Sequence, residues 1–282
     1  MMTRKKIWVL VALALCGCGQ KKPAYDPFEQ ITSQVDSIKH KADTLQFEVV
    51  EEPKPIEADE LFDDFIFNYA QDHKLQLQRT KFPLPYYKED VPLKIEKSDW
   101  THDDLFANES LYTLIFDKEE QMDLVGDTTL VSVQVTWLFL HDRLLKKYYF
   151  EKVKGVWMLE AINQHTMPDE GEGDFIRFYT QFANDSIFQQ RHLAPRLQFV
   201  TIDPDDEFSI LETTIPASQW SAFSPVMPQE KLSNIDYGQH ASNQSNRKIL
   251  KINGIGNGYS NLFYFRRKGG SWELYRYEDT SM

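Results

Sequence analysis

Residues 149–159 read YFEKVKGVWML and residues 264–274 read YFRRKGGSWEL. Tyr149, Phe150, Gly155, Trp157 and Leu159 match Tyr264, Phe265, Gly270, Trp272 and Leu274 at a constant offset of 115, without a gap. Each stretch is an aromatic strand, a Lys-Gly or Gly-Gly turn and a Trp-x-Leu strand, which is the pattern of a hairpin. Upstream, Phe62, Phe65, Tyr69 and Asp72 match Phe175, Phe178, Phe182 and Asp185 at an offset of 113. Gln78, Arg79 and Pro83 then match Gln190, Arg191 and Pro195 at 112, while Trp100 and Trp220, at 120, need a compensating gap. Three blocks in one order, with offsets drifting by only a few residues, identify a duplicated unit.

Each copy opens with a helix, because Leu61, Phe62, Phe65, Ile66 and Tyr69 share one helical face, as do Phe175, Phe178, Tyr179 and Phe182. Each closes with strands. Val131, Val133, Val135, Trp137 and Phe139 alternate with polar residues, His141-Asp142-Arg143 turns the chain into 144–153, and 157–162 follows; the second copy has 249–252, 262–267 and 272–277. The expected fold class is α+β, two tandem domains over residues 59–165 and 172–282, each with N-terminal helices packed on a curved antiparallel sheet.

The chain has 282 residues, 41% of them hydrophobic, and a formal net charge of -12, which argues against a general nucleic-acid binder. Its two cysteines, Cys16 and Cys18, lie near the N-terminus, so neither a disulfide scaffold nor a Cys-based zinc site suits the folded part. Arg4, Lys5 and Lys6 precede the apolar run Ile7 to Leu15, too short to span a bilayer. The run ends in Leu15-Cys16-Gly17-Cys18, which resembles the bacterial lipobox with Cys18 as the lipidated residue. Residues 1–17 are then a lipoprotein signal peptide. Residues 18–58 form a lipidated stalk, with a helix started by Asp26-Pro27-Phe28-Glu29 and an acidic linker after it. The resemblance implies a lipid-anchored cell-envelope protein, with Gly19 after the cysteine favouring the outer membrane.

Helices followed by a long meander, ending in an aromatic strand, a turn and a Trp-x-Leu strand, resemble the nuclear-transport-factor-2-like cone. Phe62-x-x-Phe65, Gln78-Arg79 and Phe82-Pro83-Leu84 also resemble an uncharacterised family of Bacteroidales lipoproteins, best over residues 59–165. The cone likeness implies a shape and no single activity, since that shape hosts isomerases, dehydratases, binding proteins and dimerisation modules.

The seven histidines are scattered singly, without metal-ligand spacing, and neither a nucleophile elbow nor a phosphate-binding glycine loop occurs. No metal or cofactor is expected. Gly254, Gly256 and Gly258 lie between strands and read as a hairpin turn; Asp203 to Glu207 reads as a solvated acidic turn. Asp72 and Asp185 suit helix caps better than catalytic bases. Arg79 and Arg191 suit either a ligand carboxylate or a structural staple. Residues 245–282 carry a net charge of plus 4, with Lys251, Arg266 and Arg276 as candidate binders of an anionic glycan, lipid headgroup or envelope protein. The expected function is a non-enzymatic, membrane-tethered binding or interaction module. The alternatives are an isomerase or dehydratase working in a cone cavity, with Asp72 or His73 as the ionisable group, and a structural spacer.

Overall fold

In the computed structural model, which describes residues 53–239 and 245–282, the repeated aromatic residues are the centres of two packing cores. The chain runs α1 (Phe62–Gln71), α2 (His73–Gln78), β1 (Leu84–Lys88), β2 (Val91–Ile95), β3 (Leu111–Phe116), β4 (Ser132–Phe139), β5 (Leu144–Val153) and β6 (Val156–Thr166). It continues with α3 (Glu172–Asn184), α4 (Ser186–Arg191), β7 (Leu193–Asp203), β8 (Asp206–Pro216), β9 (Lys231–Asp236), β10 (Arg247–Gly254), β11 (Ser260–Lys268) and β12 (Ser271–Asp279).

Local chemistry repeats with the sequence. Asp72 ends α1 and caps α2, its side chain accepting the Lys74 and Leu75 amides; Asp185 does the same between α3 and α4 with Ile187 and Phe188. Both β5–β6 and β11–β12 turn on two residues of positive φ, Lys154-Gly155 (51° and 84°) and Gly269-Gly270 (58° and 82°), the geometry of a type I′ hairpin. Both hairpins carry a bulge at the matched aromatic pair, Tyr149/Phe150 and Tyr264/Phe265. The helices lie on these hairpins with matching ring geometry. Phe62 meets Trp157 edge-on at 5.0 Å and Phe175 meets Trp272 at 5.2 Å; Phe65–Phe150 and Phe178–Phe265 are both 5.8 Å. Such pairs each add about 0.5–1.5 kcal/mol beyond the area they bury.

One sheet has the order β2-β1-β6-β5-β4-β9 and the other β8-β7-β12-β11-β10-β3. The two orders are the same except that each half gives its third strand to the other half's sheet. β9 pairs with β4, as Gln134↔Asp236 to Phe139↔Lys231, and β3 pairs with β10, as Ile249↔Phe116 to Gly254↔Leu111. The two exchanged strands meet at Thr113 and Ser233. Each of these residues donates its amide to the other's hydroxyl (both 2.8 Å) and its hydroxyl to the other's carbonyl (2.5 and 3.0 Å). Residues 120 apart thus occupy equivalent places about a local two-fold. The described residues fall in one compact unit.

Two expectations are corrected. The sheets are mixed rather than antiparallel, since β1 runs parallel to β6 and β7 parallel to β12. Each of these strands enters from a helix and not from a hairpin, and the β2–β5 or β8–β11 stretch supplies the long connection that a parallel pair needs. Arg191 is also not the counterpart of Arg79. The Arg79 carbonyl accepts the Leu159 amide at 2.7 Å, and the matching acceptor for Leu274 is the His192 carbonyl at 2.8 Å.

Candidate functional site

Sheet pairing places Tyr86, Ile162 and Tyr148 side by side on β1, β6 and β5, with Gln164 and Lys146 as the next pair on the same face. The segment after β2 covers this face with Trp100, His102 and Asp103. Together they enclose a cavity of about 520 Å³, lined by Tyr86, Ile95, Trp100, His102, Lys146 and Gln164 among others.

Asp103 is the hub. Gln76, fully buried on α2, clamps its backbone by donating to its carbonyl (2.7 Å) and accepting its amide (3.0 Å). The carboxylate accepts Lys146 Nζ and Tyr148 OH, both at 2.7 Å, and the Leu105 amide at 3.3 Å. Burial first, and the Asp103 charge second, push the Tyr148 phenol well above its ordinary range, so it stays a donor. Leu105 is held at φ 42°, a conformation costing on the order of 1–3 kcal/mol, which the clamp on Asp103 sustains. Opposite, Tyr86 OH donates to Gln164 Oε1 at 2.7 Å. The Trp100 indole N–H and the His102 Nδ1 are buried without a hydrogen-bond partner. The Lys146 ammonium, the Asp103 carboxylate and the Tyr86 phenol therefore border one partly apolar hollow, a combination suited to a small polar molecule.

The second half fills the matching volume with rings. By sheet register Phe199 stands for Tyr86, Tyr277 for Ile162, Phe263 for Tyr148 and Asn261 for Lys146. Phe199 stacks on Tyr277 at 5.7 Å, Trp220 meets Tyr277 edge-on at 5.1 Å, and Phe263 lies 5.0 Å from it. Phe223 lies 5.2 Å from Phe199.

The residues singled out from sequence are not gathered into one site. Cys18 lies outside the described residues. Arg79 is 2% exposed and pairs with Asp59 at 2.9 Å, while donating to the Lys54 carbonyl at 2.8 Å: it staples the end of α2 to the segment before α1. Arg191 is exposed at the end of α4. Arg266 and Lys268 share Glu273 at 2.8 and 2.6 Å, Arg276 pairs with Glu278 at 2.6 Å, and Arg267 with Asp174 at 2.6 Å. Glu273 and Glu278 already count in the plus 4 of residues 245–282; from outside that segment Asp174 pairs with Arg267 and Asp117 with Lys248, which neutralises two of the four charges. Lys251 lies close enough to Asp63 to favour that residue's charged form. Asp72 is a helix cap, and His73 sets its ring 5.7 Å from His102 at the edge of the cavity wall. The cavity residues Asp103, Lys146 and Gln164, and Tyr148 bonded to Asp103, were missed by sequence reasoning. The difference between the copies at these positions is small: Tyr148 corresponds to Phe263 and Lys146 to Asn261, a lost hydroxyl and a lost charge.

Asp63, on α1, accepts Tyr237 OH at 2.5 Å, and burial raises its pKa to about 6. Tyr112 and Lys251 also face it and oppose that rise or share it: the Tyr112 hydrogen bond and the Lys251 charge lower it, and neighbouring Asp64 raises it. Its folded pKa lies above the ordinary carboxyl value of 3.8, so its contribution is fully present below about pH 4 and is lost as pH rises through about 6. Asp63→Asn removes the cost of burying the charge. At pH 8 we expect the variant to be more stable by roughly 1–3 kcal/mol, with no gain at pH 4. Urea melts at the two pH values check this, and an equal gain at both would refute the assignment.

Among the described residues no group of three His, Cys, Asp or Glu side chains could hold a metal ion, and no helix is long and apolar enough to cross a membrane. The crystal structure of an NTF2-like protein from Bacteroides fragilis NCTC 9343 is similar, with 59% identity over 82% of this chain and 100% of that one and a TM-score of 0.78. An NTF2-like protein of unknown function from Shewanella baltica OS155 is 12% identical over 39% of this chain and 90% of its own, at a TM-score of 0.22 that carries no argument. No curated protein matches the chain. With residues 41–279 matching a domain of unknown function, DUF4348, and that Bacteroides chain matched along its whole length, the protein belongs to the DUF4348 family.

Proposed function

We propose that the chain is a tandem pair of cone-like domains with exchanged third strands, of which the first is a binding cup for a small polar molecule and the second a filled structural partner. One observation carries this reading: Tyr86, Ile162 and Lys146 line a cavity in one half, with Tyr148 next to Ile162, whereas in the other half the equivalent Phe199, Asn261 and Phe263 are in contact with Tyr277. Ligand chemistry follows from the groups on offer. Lys146 presents a donor to an anionic or carbonyl oxygen, Asp103 accepts from a hydroxyl or amine, and the rings of Tyr86 and Trp100 cover an apolar face. A purely structural spacer has no use for a polar cavity held by a strained segment.

The signal-like N-terminus with Cys18 supports a lipid-tethered, cell-envelope location, with the cup held off a membrane by the stalk. Replacement of Cys18 by Ala, with loss of fatty-acid labelling, tests that part alone.

For the cup, Ile162→Tyr installs the side chain that fills the second half. Native mass spectrometry of the protein purified from a bacterial envelope should show an adduct of a few hundred daltons on the wild type and none on the variant. An adduct retained in full by Ile162→Tyr contradicts the placement.

A further inference from the structure

The local two-fold creates a second hollow that neither half has alone. Residues 109–113, leading into β3, and 225–233, leading into β9, enclose about 510 Å³ above the Thr113–Ser233 crossing. Its walls are mostly apolar, with Leu111, Trp137, Val226, Met227 and Tyr259. Val226 is 89% exposed, so the mouth is open to solvent. The charged side chains in the lining are two carboxylates, Glu109 and Glu230, and one ammonium, Lys231. That ammonium sits 5.0 Å over the Trp137 ring and 2.6 Å from Glu109 Oε1.

We propose that this axial pocket binds an organic cation with an apolar body, whose ammonium takes the place of Lys231 on Trp137 and Glu109. The aromatic face and the carboxylate already hold an ammonium in the geometry such a ligand needs. Lys231 and Glu109 side chains are 39% and 23% exposed, so a flexible lysine can leave for water at small cost, and the pocket then carries net negative charge. An anion of the same shape meets Glu109 and Glu230 instead and is rejected.

The test is calorimetric titration of the full chain with benzyltrimethylammonium and, separately, with phenylmethanesulfonate. Saturable one-to-one binding of the cation with quenching of tryptophan emission is expected, and no binding of the sulfonate. Lys231→Met removes the internal competitor and should tighten cation binding about tenfold, while Glu109→Gln should weaken it about tenfold. Both changes are on partly exposed side chains, and a thermal melt close to that of the wild type establishes that each variant is folded. Ile162→Tyr, in the other cavity, should leave the titration unchanged, which separates this site from the cup. Equal binding of both probes, no binding of the cation by the wild type and by Lys231→Met, or an affinity indifferent to Glu109 would overturn the proposal.

Discussion

Expressed alone, residues 53–168 will give no folded monomer. In the whole chain β4 is covered by β9 of the other half along six residue pairs, and the strand paired with β3 is β10 of the other half. The first core also includes Ile235, Tyr237, Ile249, Leu262 and Tyr264 from the second half, all buried. Losing five such side chains, at roughly 1.5–3 kcal/mol each, removes about as much as the 5–15 kcal/mol that a domain has in total. The cut also leaves two strands with open hydrogen-bonding edges. Far-UV circular dichroism with light scattering checks this. A half-chain that melts cooperatively as a monomer would show that the exchange is not needed for folding. Folded material confined to a dimer fits the exchange, because β3 of a second copy can take the place of β9.

The second large effect is at Arg79. Arg79 and Asp59 are each 2% exposed and 2.9 Å apart, and the same carboxylate accepts the Trp157 amide at 3.1 Å and the Ile56 amide at 2.8 Å. Arg79→Ala leaves that carboxylate buried with its countercharge gone, and we expect a loss of about 3–5 kcal/mol in urea melts. Arg79→Met combined with Asp59→Asn replaces both charges with groups of similar volume and should recover most of that loss. A loss below about 1 kcal/mol in the single variant, or a double variant no better than the single, would contradict a staple built on the ion pair.

Much of this fold was readable because its signals are local. Asp72 and Asp185 cap helices two and three residues ahead, Lys154-Gly155 and Gly269-Gly270 set turns, and the Phe and Trp positions recur with the period of one helix face and one hairpin. The strand exchange was not readable. Leu111–Phe116 is apolar but for Thr113 and Lys231–Asp236 has only Leu232 and Ile235, so neither shows the alternation that would mark a strand or its sheet, and the contact between them joins Thr113 and Ser233, 120 residues apart. Arg79 and Arg191 were matched by identity, whereas the true equivalence runs through the carbonyls of Arg79 and His192, which no side-chain pattern reports. The plus 4 of residues 245–282 was readable, whereas the pairing of Arg267 with Asp174 and of Lys248 with Asp117, from outside that segment, depends on the fold. The cavity groups come from β1, β5, β6 and the segment after β2, so only the sheet register brings them together.

The difference between the two halves is tested most directly by crystallographic soaking with a library of small polar fragments. Fragments should occupy the first-half cavity, with contacts to Lys146, Asp103 or Gln164, and none should enter the space filled by Phe199, Phe263 and Tyr277. Fragments bound equally in both halves, or absent from the first-half cavity across the whole library, would contradict it.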